Sequence, residues 1–262
     1  MSIPFERSDS KLIPLLGIAL MATVLAIAIA YGVLARDEAG RDAAAEQAVV
    51  ARVLAEQVTG SIDAVAATLS GVAAAIKNSP AETASQSRLL LEATASQSSI
   101  AAISLVDAEG AVLISSDSGA GGQRFNLKST FGTLMLDESL QVGQLQVGPA
   151  NAHRQSGTAN SRAGYLPLLK SVRDASGGHR FLLAMLRPDE TLMAFDSRRD
   201  GGYTAAILSA NGELVASSRG AQGTRIAAID ARAITAANGS YEGPGITGEA
   251  AIGAFQHIAR YP

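Results

Sequence analysis

Three histidines, His153, His179 and His257, stand on separate stretches of the chain, and no two of them have the spacing of metal ligands on one helix or hairpin. With no cysteine, neither a thiolate site nor a disulfide framework can form, and zinc or iron chemistry is not expected. His153 reads as a loop residue, His179 as a strand entry and His257 as part of a sheet. The serine-rich stretches at 96–99 and 115–118 lack a base placed by local pattern, and no Gly-x-Ser-x-Gly elbow occurs. The GAGG run at 119–122 lacks the Lys-Ser/Thr that would hold phosphate and magnesium, so it reads as a turn. Asp107, Glu109 and Asp117 are close in sequence but fall in and after a turn, where water solvates them. No reaction, metal or cofactor is assigned to these residues.

Binding chemistry remains. Lys128 and Arg154 carry cationic heads suited to a carboxylate or phosphate, Arg154 from a polar loop. Phe131 supplies an apolar wall, and Tyr165 a hydroxyl beside an apolar ring. These four are the candidate ligand-binding residues. Asp189, after Arg187 and Pro188, reads instead as the cap of a connecting helix. The polar stretch at 144–162 is the segment expected to order on binding, because its Gly, Ser and Asn content favours disorder when empty.

The elements that must hold these residues start with an apolar run, LIPLLGIALMATVLAIAIAYGVLA at 12–35, which has no charge and is bounded by Lys11 and Arg36. At 1.5 Å per residue it covers a hydrocarbon core of about 30 Å and reads as a membrane-spanning helix. Val33 and Ala35 would also suit signal-peptide cleavage, but such segments usually have an apolar stretch of only about 7–15 residues. Arg7 and Lys11 balance Arg36 and Arg41, so charge does not decide orientation. The short tail and large following domain favour an N-terminus in the cytoplasm, with the domain on the other side of the membrane. The 21 Lys/Arg are spread among 24 Asp/Glu for a net charge of −3, which leaves no basic stripe for nucleic acid. With no Trp and few aromatics, the core is built from Ala, Leu, Ile and Val.

Beyond the membrane, Val50, Leu54, Val58, Ile62, Val65, Leu69, Val72 and Ile76 recur at helical spacing and predict a long stalk helix over 37–78, about 60 Å in length. A helix of that composition needs packing on its own domain, on a second copy, or on both. Ala22, Ala26 and Ala30 at four-residue spacing add a helix-pairing pattern inside the membrane, so a homodimer through stalk and membrane helix is expected. Gly60 and Gly71 are candidate bends. Ser79, Pro80 and Glu82 stop this helix and cap a second over 81–98.

The most specific internal signal is a near-repeat. AISLVDAEGAVLISS at 102–116 matches AAILSANGELVASS at 205–218, with Gly110 on Gly212 and Ser115 on Ser217 at an offset of 102 residues. Each copy reads as a strand, a tight turn and a second strand. Further strands are expected at 145–147, 164–172, 180–186 and 250–259, and a connecting helix at 188–196.

In this order the pieces resemble the double Cache family, the extracytoplasmic sensor region of bacterial transmembrane receptors, in which two PAS-like modules hang from a long helix. The features that carry it are LVDAEGAVLISS at 105–116, FNLKSTF at 125–131, QVGP at 146–149, YLPLLKSVRDASG at 165–177, LLAMLRPDETL at 182–192, the second hairpin and FQHIARYP at 255–262. The resemblance covers about residues 37–262. It implies an α+β chain with a cytoplasmic tail (1–11), a transmembrane helix (12–35), a helical stalk and lead-in (36–99), a membrane-distal PAS-like module (100–196) and a membrane-proximal one (197–262).

The resemblance further implies an inner-membrane receptor whose distal module binds a small molecule. The proximal module would relay strain to a second membrane helix and a cytoplasmic output domain, such as a diguanylate cyclase, a cyclic-di-GMP phosphodiesterase or a histidine kinase. Where members often show an Arg-Pro-Tyr-Phe-like run, this chain has Lys128, Ser129, Thr130 and Phe131, losing an Arg fork and a phenol. The longer pattern of the amino-acid-binding members is also absent, so the ligand class stays open. The competing expectation is a membrane-anchored periplasmic module that binds a protein partner and has no small-molecule ligand.

Overall fold

In the computed structural model of the chain, the structure describes residues 12–78, 83–144, 146–147, 164–173, 178–188, 190, 192, 204–208, 214–218, 236–245 and 249–258. Helix α1 (Leu12–Asn78) is one unbroken element of 67 residues that joins the apolar run to the stalk and passes through both Gly60 and Gly71. Its first part is long and apolar enough to cross a membrane. There Val24, Leu25, Ile27, Ile29, Val33 and Leu34 are exposed. Apolar side chains in such a row need lipid or another chain around them.

The predicted stalk stripe is observed. Val50, Val58, Ile62, Val65, Leu69, Val72 and Ile76 are buried, Leu54 is half-buried, and Val49 and Val53 on the neighbouring face are exposed. From Val58 to Ile76 the stripe lies in one core cluster with the sheet, so this face of the helix is spent on its own domain. Helix α2 (Thr83–Ala95) adds Leu90 to that cluster. Gln97, in the turn that follows, ties the two layers by donating to Ala64 O and Thr68 Oγ1 of α1, at 3.2 and 2.9 Å.

The sheet is antiparallel, built from β1 (Ile100–Val106), β2 (Val112–Ser115), β3 (Leu140–Val142), β4 (Gln146–Val147), β5 (Gly164–Arg173) and β6 (His179–Leu186). Its order is β2-β1-β6-β5-β3, with β4 pairing the start of β5. Alternation along the strands separates two apolar faces. Ile103, Leu105, Leu168, Val172, Leu182, Ala184 and Leu186 meet α1 and α2. Val106, Leu169, Phe181 and Leu183 form a second cluster with Leu127 of the short helix α3 (Leu127–Phe131). Burial on both faces explains why β5 and β6 read as near-continuous apolar runs.

The 102-residue repeat is reproduced in the backbone. Strand β1 pairs β2 through Ser104–Ser115 and Leu105–Ile114; β7 (Ala206–Leu208) pairs β8 (Leu214–Ser217) through Ala206–Ser217 and Ile207–Ala216. Both ladders shift register one residue later, at Val106 and at Leu208. Both also close identically: Ile103 N–H donates to Ser116 Oγ at 2.9 Å, and Ala205 N–H to Ser218 Oγ at 3.1 Å.

The last pair, β9 (Asn238–Pro244) and β10 (Ala250–Gln256), packs against α1. The Phe255 ring sits where a Cβ on the facing Gly239 would be, 2.7 Å from it, and the Tyr241 ring covers Gly253 in the same way. Strand β9 escapes sequence reading because NGSYEGP carries two glycines and a proline, which read as loop. Burial raises the Tyr241 pKa above its ordinary 10.0. A neutral phenol favoured by the fold keeps its contribution below pH 10 and loses it as the pH rises further, since the unfolded chain then releases the proton first. Tyr241→Phe is therefore expected to flatten the alkaline fall in melting temperature, measured from pH 9 upward.

Candidate functional site

The site is assembled from the first turn outward. Asp107 Oδ1 accepts the Glu109 and Ala111 N–H groups at 3.0 and 2.7 Å, which shapes the β1–β2 turn. Gly110 completes it with φ +82, and its carbonyl accepts the Phe125 N–H at 2.8 Å. An antiparallel bridge between Ala111 and Arg124 runs alongside. The turn thus clamps the segment that enters α3. Asn126 caps that helix, its Oδ1 accepting Ser129 N–H at 3.1 Å, and Gly132 ends it at φ +69 with its N–H on Lys128 O. Asn126→Ala is expected to cost about 1 kcal/mol and to speed hydrogen exchange at the Thr130 and Gly132 amides.

Helix α3 is seated by Leu127 against Val106, Leu169, Phe181 and Leu183. At its far end Phe131 lies over Gly143, just past β3. A Cβ there would be 2.7 Å from the Phe131 ring, 2.8 Å from the Thr130 methyl and 2.9 Å from Pro167 Cγ. Gln144 N–H to Thr130 O, at 2.9 Å, and Gly143 N–H to Pro167 O, at 2.8 Å, fasten the same corner. The paired residues Ser115, Ser104, Leu183, Leu169 and Gln141 make one row across the sheet on this face. Ser104 is buried, with its hydroxyl 2.9 Å from that of Ser115.

Of the four predicted binding residues, Phe131 and Tyr165 belong to this face. Tyr165 is buried on β5, two residues before Pro167 and opposite Gln146. Lys128 is on α3 but exposed, so it borders the face and does not line its interior. Arg154 lies outside the described residues, as do His153, Asp189 and nearly all of the stretch expected to order on binding. Residues 188, 190 and 192 are all that is described of the expected connecting helix.

His179 begins β6 as expected; His257 falls just past β10 and is exposed, so it is not a sheet residue. Asp107 and Asp117 are turn acceptors, the latter bonded to Gly119 N–H at 2.9 Å. Among the described residues, no three His, Asp or Glu side chains gather as a metal site. Sequence reading missed Gln141 and Gly143, because β3 has three residues and its polar neighbours give no alternation.

A separate open cleft of about 610 Å³ lies between α1 and the last hairpin, bordered by Arg52, Glu56, Thr59 and Asp63 on one side and Asn238, Gln256 and His257 on the other. Arg52 is ion-paired with Glu56 at 3.2 Å, and both are well exposed. That pair is worth little.

No protein-family model and no curated protein matches this chain. Solved structures do. The extracellular domain of rpHK1S-Z16, described as a histidine kinase by assignment only, is 17% identical, with a TM-score of 0.65 over 87% of this chain and 92% of that one. An extracellular ligand binding receptor from Desulfohalobium retbaense is 13% identical, with a TM-score of 0.61 over 75% of this chain and 36% of that one. At these identities the likeness establishes a shared fold.

Proposed function

We propose that this chain is the ligand-sensing input region of a bacterial transmembrane receptor of the double Cache type, anchored in the inner membrane with its domain in the periplasm. One observation carries the reading: a single helix runs from the apolar segment into the core of the sheet, in a chain that shares the fold of the rpHK1S-Z16 extracellular domain over 87% of its length. The repeated hairpin supports a division into a distal module at 100–196 and a proximal one at 197–262. The ligand would sit on the α3-covered face of the distal module, with Phe131 and Tyr165 as walls and Lys128 and Arg154 at its border. Binding acts on output through its different affinity for two arrangements of a homodimer, and a coupling of about 1–3 kcal/mol suffices. The output, a cyclase, phosphodiesterase or kinase, would follow a second membrane helix.

Leu127 fills the centre of the face, which favours a second reading as a protein-binding module with its pocket closed by its own side chains. A thermal-melt screen of the full chain in nanodiscs against amino acids, carboxylates, purines and polyamines separates the two. A saturable rise of several degrees that Phe131→Ala removes is the expected result. Stabilisation by a co-purifying protein, with none from any small molecule, would overturn it.

A further inference from the structure

We propose that the carboxamide oxygen of Gln141 is a ligand-binding acceptor, and that this face takes a compact, uncharged, mostly apolar molecule carrying an N–H or O–H donor. The inference rests on the α3-covered face being the ligand site. Gln141 Nε2 donates to Thr133 O at 3.2 Å, which fixes which end of the amide is oxygen. Oε1 is buried and has no hydrogen-bond partner among the described residues. A buried acceptor left unmade costs about 1–3 kcal/mol, so its retention calls for a donor that arrives from elsewhere. Its place is suited to that. Gln141 is two residues from Gly143 on the same face, beside the corner where Phe131 meets Pro167.

Along the row from Gln141, the two next positions are Leu169 and Leu183, and only at the far end do the Ser104 and Ser115 hydroxyls appear. Leu127 already covers Leu169 and Leu183, so the part of the row left to a ligand is the corner at Gln141, where Phe131 and Pro167 are the apolar neighbours and Oε1 the acceptor. The nearby cation, Lys170, is on the alternate face of β5, with its Nζ bonded to Glu138 O. Among the described residues no counter-charge is present in this row, and Lys128, at the border, is exposed to water. A carboxylate or ammonium buried on it would lose its hydration without replacement, whereas an amide or hydroxyl would lose little and satisfy Oε1.

Three probes that share one branched apolar body test this: isovaleramide, isovalerate and isoamylamine, titrated into the full chain in nanodiscs and read by melting temperature. Isovaleramide is expected to give a saturable rise at concentrations where the two charged probes give none. Gln141→Leu is expected to weaken the amide at least tenfold without lowering the melting temperature of the empty protein. Gln141→Glu, which keeps the size of the side chain, is expected to shift preference toward isoamylamine. A wild-type preference for either charged probe, or no response to all three, overturns the ligand class. Amide binding that Gln141→Leu leaves intact removes Gln141 from the site. If Phe131→Ala still abolishes that binding, the location of the site stands while the role of Gln141 falls.

Discussion

Gly110→Ala is expected to cost about 3 kcal/mol and, on the function proposed above, to lower ligand affinity with it by displacing α3. Two effects combine. At φ +82 an L side chain is strained by about 1–2 kcal/mol, and its Cβ would overlap the Phe125 carbonyl, a backbone atom that cannot swing aside. The chain must relieve the overlap by moving residues 125–126 outward, and these are the entry to α3. Leu127 then leaves its seat, and Phe131 is carried off Gly143. Gly122 provides the comparison, with a similar φ of +77 but open space around the position of a Cβ. Gly122→Ala should cost only about 1 kcal/mol. Equal losses in chemical denaturation would show that strain alone acts and that the Phe125 contact is unimportant.

Leu69→Ala is expected to destabilise the domain by about 3–4 kcal/mol. Leu69 is fully buried at the meeting of α1 with the central strands, in the cluster that includes Leu105, Leu168 and Leu182. Rigid strands behind it limit how far the cavity can collapse. Two residues on, Gly71 faces outward with nothing near, and Gly71→Ala should stabilise by about 0.5–1 kcal/mol. The opposite signs at neighbouring positions distinguish helix propensity from packing. Equilibrium urea unfolding of both variants, with unchanged slopes, provides the measurement. A loss below about 1 kcal/mol for Leu69→Ala would mean that the stalk is held elsewhere.

The parts of the fold legible in the sequence are those where one residue type answers one geometric demand. Eight aliphatics at spacings of three and four had to face one surface, and seven of them are buried. Gly110 and its flanking strands marked a hairpin because a tight turn needs the left-handed backbone there. Strands β5 and β6 were readable because both of their faces are apolar.

The candidate site was less legible, since it is made by layers meeting. Helix α3 is five residues long, too short for periodicity, and β3 is three. Gly143 matters only because Phe131 lies across it. Gln141 looks like any surface glutamine until the sheet register places it beside that corner. Phe131 and Tyr165 were singled out by their chemistry, as aromatic residues in a chain with few of them, and the fold places both on the α3-covered face, whereas Lys128, chosen for its charge, is exposed on α3.

That α1 is one continuous helix makes angular phase a property of the whole molecule. Most of residues 36–49 are exposed, yet every residue there sets the azimuth of the domain relative to the apolar segment. Adding one alanine to this stretch would turn the two ends by about 100° and separate them by about 1.5 Å, whereas seven added residues would bring them back to within about 20°. The composition of that stretch is thereby free to drift while its length is not.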